Sequence, residues 1–132
     1  MLKRLFYPAI FFPEDDGGFS VFFPDLEGCQ TQGETIEEAY EMSIDALGLM
    51  LSYLEDIKEP IPSPSAPHEI KIEDGGFLVV VEIDMLEYKK KHGTKSIKKT
   101  LTIPEWLNEE AIAKNVNFSQ TLQEALIAKC RP

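Results

Sequence analysis

Two stretches of this chain place chemically capable side chains at informative spacing. In the first, Lys98, Thr100 and Thr102 alternate with Leu101 and Ile103 inside Ile97–Ile103. A period of two puts the lysine and threonines on one strand face and the apolar pair on the other. Ammonium and hydroxyl groups so arranged can read base edges in a duplex major groove, which admits a two-stranded ribbon. In the second, Asp15, Asp16, Asp25, Glu27 and Glu34 crowd carboxylates around Phe19 and Phe22. Carboxylates either hold divalent metal ions for phosphodiester cleavage or complement a basic protein surface. Metal chemistry needs an inward-facing cluster, whereas Asp15 and Asp16 fall in a turn signal, Asp25 in a loop and Asp84 far along the chain. His68 and His92 sit in a proline-rich connector and a lysine run, without a sequence-evident partner for general-base work. Ser/His/Asp and Cys/His arrangements are unsupported. Gly17-Gly18 and Gly75-Gly76 read as hairpin turns rather than a phosphate loop. The expectation is a binding protein with no catalytic residue, metal site or cofactor; a degenerate nuclease is the minority reading.

Charge separates the two stretches. The 132 residues carry a net charge of -10, which as a whole argues against nucleic acid. Residues 1–88, however, hold 4 Lys+Arg and 19 Asp+Glu, while residues 89–132 hold 9 and 4. Nucleic acid is therefore a partner for the tail alone. Length fits one ordinary domain or two small ones. Leu5–Phe12 is interrupted by Pro8, runs into acidic residues and is too short for a bilayer, so no membrane association is expected. Cys29 and Cys130 lie far apart and can build neither a disulfide framework nor a zinc site. A reduced, cytoplasmic setting is the expectation.

The elements that position these residues follow from pattern. Residues 4–12 read as a strand, Asp15–Gly18 as a turn and Phe19–Phe23 as the returning strand. Cys29–Gln32 is a short third strand stopped at Gly33. Thr35 and Glu38 form a capping box for a helix over about 36–57. Ile36, Tyr40, Ile44, Leu47, Leu51 and Leu54 make one apolar stripe, and Ala39, Met42, Ala46, Leu49, Met50 and Tyr53 a second. One sheet face needs only one stripe, so a second partner surface and deep burial are equally open readings. Prolines 60, 62, 64 and 67 force an extended connector. Glu69–Ile72 and Phe77–Ile83 read as strand material, the latter buried on both faces. Asp84 can cap a short helical turn, and 89–95 reads as a basic, flexible linker.

The tail, residues 96–132, reads as strand, Pro104, helix 105–114, a left-handed turn at Asn115, and a second helix capped by Asn117. One strand and two helices cannot build a core alone. Pairing two copies supplies both a strand partner and a core. The N–H groups at Phe118 and Ser119 then face phosphate, and Lys95 adds charge beside the ribbon. Lys98–Pro104 followed by Asn117–Leu126 resembles the ribbon-helix-helix DNA-binding fold.

The stretch Asp25-Leu26-Glu27-Gly28-Cys29-Gln30-Thr31-Gln32-Gly33-Glu34-Thr35-Ile36-Glu37-Glu38-Ala39 resembles the signature of HicB-type antitoxins, with Glu27 where proline is common. The resemblance implies an α+β chain: a partial RNase H-like β-β-β-α-β domain over 1–88, a linker over 89–95, and a ribbon-helix-helix domain over 96–132. It implies binding and neutralisation of a HicA-type toxin, a small basic ribonuclease, and repression of its own operon by binding operator double-stranded DNA. Asp15, Asp16, Phe19, Phe22, Asp25, Glu27 and Glu34 are the candidate toxin contacts; Lys95, Lys98, Thr100, Thr102, Phe118 and Ser119 are the candidate DNA contacts. The chain is expected to form a homodimer through its C-terminal domain, and tetramers if the acidic modules also pair. A stand-alone transcriptional regulator with the same tail is the alternative.

Overall fold

A computed structural model describes residues 4–93 and 96–131. The chain divides into two compact units between residues 94 and 95. Lys95 lies outside the described residues.

The first unit is a four-stranded antiparallel sheet carrying one long helix. Strands β1 (Arg4–Pro13), β2 (Phe19–Phe22), β3 (Gln30–Gly33) and β4 (Phe77–Asp84) take the order β3-β2-β1-β4. β1 and β2 form the expected hairpin, with Ile10 opposite Phe22 and Pro13 opposite Phe19. Gly17 turns it with φ +96°, a conformation that side chains with a Cβ resist. Helix α1 (Ile36–Asp56) crosses one sheet face. Thr35 caps it: the Glu38 N–H donates to Thr35 Oγ1 at 3.1 Å, and Glu38 Oε1 accepts the Glu34 N–H at 2.9 Å. One orphan donor of the first turn and the N–H just before the cap are thereby satisfied.

Strand alternation decides what is core. Tyr7, Ala9 and Phe11 of β1, Val21 of β2, and Val81 and Ile83 of β4 point to Ala39, Leu47 and Leu51 of α1. Gly33 lies so close to the α1 backbone that a Cβ there would sit 2.4 Å from Ala39 N. Close approach of that kind admits only glycine.

Two expectations for this unit need correcting. Residues 69–72 form no strand: a 3-10 turn at Pro67–Glu69 is followed by irregular chain. β4 is not buried on both faces but is a sheet edge with Val80 exposed. Its unbroken apolar run reflects β propensity and packing of alternate residues, not two covered faces. The connector instead straps the sheet. Tyr7 O–H donates to the Pro62 carbonyl at 2.6 Å, Ser65 N–H and O–H both donate to the Asp25 carboxylate, and the turn at Gly76 rests against Ile10 and Phe12.

The lysine run, expected as linker, is largely helical. α2 (Met85–His92) starts at Asp84, whose carboxylate accepts the Glu87 N–H at 3.1 Å. Tyr88 fills a notch at Gly48 of α1, Lys89 pairs with Glu55 at 2.6 Å, and His92 lies 3.9 Å from Asp45. Residues 89–92 therefore belong to the acidic unit.

The second unit holds α3 (Glu105–Ala113) and α4 (Phe118–Cys130). Asn115 turns between them at φ +56°, and Asn117 caps α4 by accepting the Gln120 N–H at 3.0 Å. Both local expectations hold. The strand expected at 97–103 does not form in the single chain: 96–104 carries no regular secondary structure. A strand needs a ladder partner, and one copy offers none.

Candidate protein-binding and nucleic-acid-binding surfaces

Where the β1–β2 turn meets the start of α1, a cleft of about 840 Å³ opens. Its walls include Glu14, Asp16, Glu34 and Glu38, and its floor Phe19 and Gly33. The turn fixes one wall: Gly18 N–H donates to Asp16 Oδ1 at 2.9 Å, and Glu14 accepts the Ser20 hydroxyl. The capping box fixes the other, because Thr35 and Glu38 must sit together to start α1. Four carboxylates on a half-apolar floor suit Lys or Arg side chains carried beside apolar ones.

Of the seven residues read as toxin contacts, the cleft gathers Asp16, Phe19 and Glu34. Asp15 is exposed on the same turn without lining the cleft. Phe22 points to the opposite sheet face, edge-on to Phe12 at 5.7 Å. Asp25 is engaged by Ser65 of the strap. Its charge, after burial, helps raise the Tyr7 phenol above its usual pKa. Glu27 is exposed in the β2–β3 loop and lines no part of the cleft.

Sequence reasoning missed Glu14, Glu38 and Met42 as cleft residues. The Glu38 carboxylate both accepts the Glu34 N–H at the helix start and lines the cleft. Met42 belongs to the second apolar stripe of α1. That stripe divides in the structure: Ala39 is buried, Ala46 and Met50 are half-buried, and Met42, Leu49 and Tyr53 stay exposed. On the opposite flank of α1, Phe11, Ile36, Tyr40, Phe77 and Val79 line an apolar groove beside Glu37 and Glu41.

The aspartates that a nuclease site would draw on each have a separate place. Asp25 binds the strap, Asp84 caps α2, and Asp15 and Asp16 occupy the turn. Among the described residues no three His, Cys, Asp or Glu side chains converge as metal ligands. Cys29 is buried with its thiol directed at the Ala46 carbonyl, 3.6 Å away, and burial raises its pKa to about 11. A thiol so raised is a poor nucleophile.

The second unit offers a different surface. None of its described residues is buried. Ile97, Leu101, Ile103, Trp106, Ile112 and Leu126 are all exposed, Ile97 at 81% and Trp106 at 65%. Lys98, Thr100 and Thr102 are exposed on the irregular segment before α3. Phe118 and Ser119 open α4, where backbone N–H groups have no intrahelical acceptor.

Comparison with known proteins covers both units. A model of the HicB-like antitoxin of bacterial toxin–antitoxin systems matches residues 7–130. Antitoxin HicB 1 of Photorhabdus laumondii is 41% identical over 64 residues, 48% of this chain and 41% of that protein. This chain spans about half the length of the curated relatives it matches. A chain from a toxin–antitoxin complex of Streptococcus pneumoniae superposes with TM-score 0.63 and 32% identity, over 96% of this chain and 99% of that one. A chain from the HicA3 and HicB3 toxin–antitoxin complex gives TM-score 0.52 and 33% identity, over 61% of this chain and 99% of that one.

Proposed function

The chain belongs to the HicB-like antitoxin family of bacterial toxin–antitoxin systems, and from that premise we propose that it neutralises a HicA-type ribonuclease toxin with its first unit and represses its own operon with its second. The observation that carries this reading is the contrast in what each unit leaves exposed. The first exposes a carboxylate-walled cleft that also holds Phe19 and Met42. A basic ribonuclease must expose cationic groups to hold RNA, and the cleft competes for those groups. Occupying them excludes the phosphate backbone without any chemistry by the antitoxin.

We read the first unit as a partial RNase H-like fold and the second as half of a ribbon-helix-helix. Two copies of 97–103 pair antiparallel, which supplies the missing ladder partner and gathers Leu101, Ile103, Trp106 and Leu107 into a shared core. Lys98, Thr100 and Thr102 of both copies then line the ribbon face that enters the major groove. The α4 N-termini at Phe118 and Ser119 hold phosphates. The dimer is the DNA-binding species.

Co-expression tests the reading. Cells arrested by a HicA-type toxin resume growth when the chain is supplied, and purified chain retards operator DNA with affinity falling steeply in salt, about -0.9 in log–log slope per phosphate contact. Persistent arrest by a toxin that is demonstrably present, with no complex on gel filtration, overturns the neutralising role. Lys98, Thr100 and Thr102 changed together to Ala without loss of operator binding overturns the ribbon.

A further inference from the structure

Among the described residues, strand β3 is the sheet edge on the cleft side and pairs with β2 alone. Antiparallel strands alternate between residues whose backbone groups face the partner and residues whose groups face away. Phe23 N–H donates to the Cys29 carbonyl at 3.1 Å, which fixes the phase. Thr31 and Gly33 then bond to β2, and the N–H and C=O groups of Gln30 and Gln32 point outward along the open edge.

Helix α1 overhangs that edge. Cys29 touches the Ala46 carbonyl and Gly33 abuts Ala39, so the row Ala39–Ala46 lies over β3 itself. The next row outward is Met42, Leu49 and Tyr53, at spacings of seven and four residues, hence on one helix flank. Met42 lines the cleft together with Thr31, Gln32 and Gly33, which places this flank on the β3 side. Leu49 is 67% exposed and Tyr53 56%. The result is a step: an open strand edge below and an unpartnered apolar helix flank above, where one more strand would fit.

Charge selects the occupant. The cleft brings Glu14, Asp16, Glu34 and Glu38 beside this flank and strand edge. A second copy of this chain would bring the same acidic surface against itself, and like charge across an interface is costly. A strand from a basic protein has the opposite sign and can reach the cleft carboxylates with its cationic side chains. Resting on the antitoxin reading above, we propose that the toxin docks by adding a strand to β3, its alternate apolar side chains covering Met42, Leu49 and Tyr53 and its basic ones entering the cleft. Main-chain bonds to Gln30 and Gln32 provide affinity that side-chain changes in the toxin do not erase.

The test uses the full chain and the HicA-type toxin that it neutralises in the co-expression test, by titration calorimetry. Gln32→Pro removes one outward N–H without touching a β2–β3 bond, and proline is tolerated on an edge strand. Gln32→Ala keeps that N–H and removes the side chain. The proposal expects Gln32→Pro to bind at least tenfold more weakly than Gln32→Ala, which lacks the same side chain, with Leu49→Glu losing a similar amount against the parent. Amide exchange gives an independent readout that does not depend on any variant folding: the Gln30 and Gln32 N–H groups become protected in the complex. Parent-like binding by Gln32→Pro, or unchanged exchange at Gln30 and Gln32 in a complex that does form, overturns strand addition and leaves the antitoxin reading standing. Failure of the unaltered chain to bind ends both.

Discussion

The two units are both rich in apolar residues, yet they spend them differently. The first encloses Tyr7, Phe11, Val21, Leu47, Leu51, Val81 and Ile83 between sheet and helix. The second buries nothing among its described residues and leaves Ile97, Leu101, Trp106 and Ile112 exposed. A four-stranded sheet with a 21-residue helix can cover itself, whereas two helices of 9 and 13 residues cannot. On the proposed reading, what looks like surplus hydrophobicity in the tail is half of a core shared with a second copy. Charge follows the same partition more loosely. Residues 1–94 hold 7 Lys+Arg and 19 Asp+Glu, and residues 95–132 hold 6 and 4.

The largest expected effect falls on the second unit. Leu101→Asp places a charge in the proposed shared core, so the dimer dissociates and operator affinity falls by about 10³-fold, the usual distance between specific and non-specific binding. Sedimentation and a gel-shift assay measure both at once. The first unit should keep its thermal transition, and loss of that transition would mean the two units are not independent. Next is Leu47→Ala. Leu47 is fully buried, so the first unit should lose about 3 kcal/mol in urea titration. That loss should be the same at low and high protein concentration, whereas Leu107→Ala should destabilise the second unit in a concentration-dependent way.

Smaller effects sharpen the picture inside the first unit. Asp25→Ala releases Ser65 of the strap from the β2–β3 loop, costing about 1–2 kcal/mol, and exchange of the Ser65 amide should accelerate while growth rescue survives. Loss of rescue with normal stability would return Asp25 to the toxin-binding surface. The smallest effect comes from Cys29. Burial raises its thiol from 9.0 to about 11. The folded state therefore favours the neutral thiol; this stability is fully present below pH 9 and is lost as pH rises through about 11. Thiol reagents at pH 8 should label Cys130, which is exposed, well before Cys29.

Much of this was legible from the chain because the signals were local. The turn at Asp15–Gly18, the capping box at Thr35 and Glu38, the caps at Asp84 and Asn117, and the left-handed Asn115 each depend on a few adjacent residues. What was not legible depends on residues far apart. No local pattern tells that Phe77–Val81 forms an edge, because edge position is set by sheet order. Asp25 could not be seen as the strap's anchor, since Ser65 lies forty residues away. The lysine run looked like linker because its own sequence is polar; Tyr88 in the Gly48 notch and Lys89 on Glu55 hold it as helix. Met42, Leu49 and Tyr53 were visible as part of a second stripe, but only the packed helix separates the half that is core from the half that is surface.

The division of labour is tested most directly in cells arrested by the HicA-type toxin and carrying a reporter on the operon promoter. Residues 1–93 alone should restore growth and leave the promoter active, while the full chain should restore growth and silence it. If residues 1–93 fold and accumulate yet growth stays arrested, neutralisation does not reside in the acidic unit.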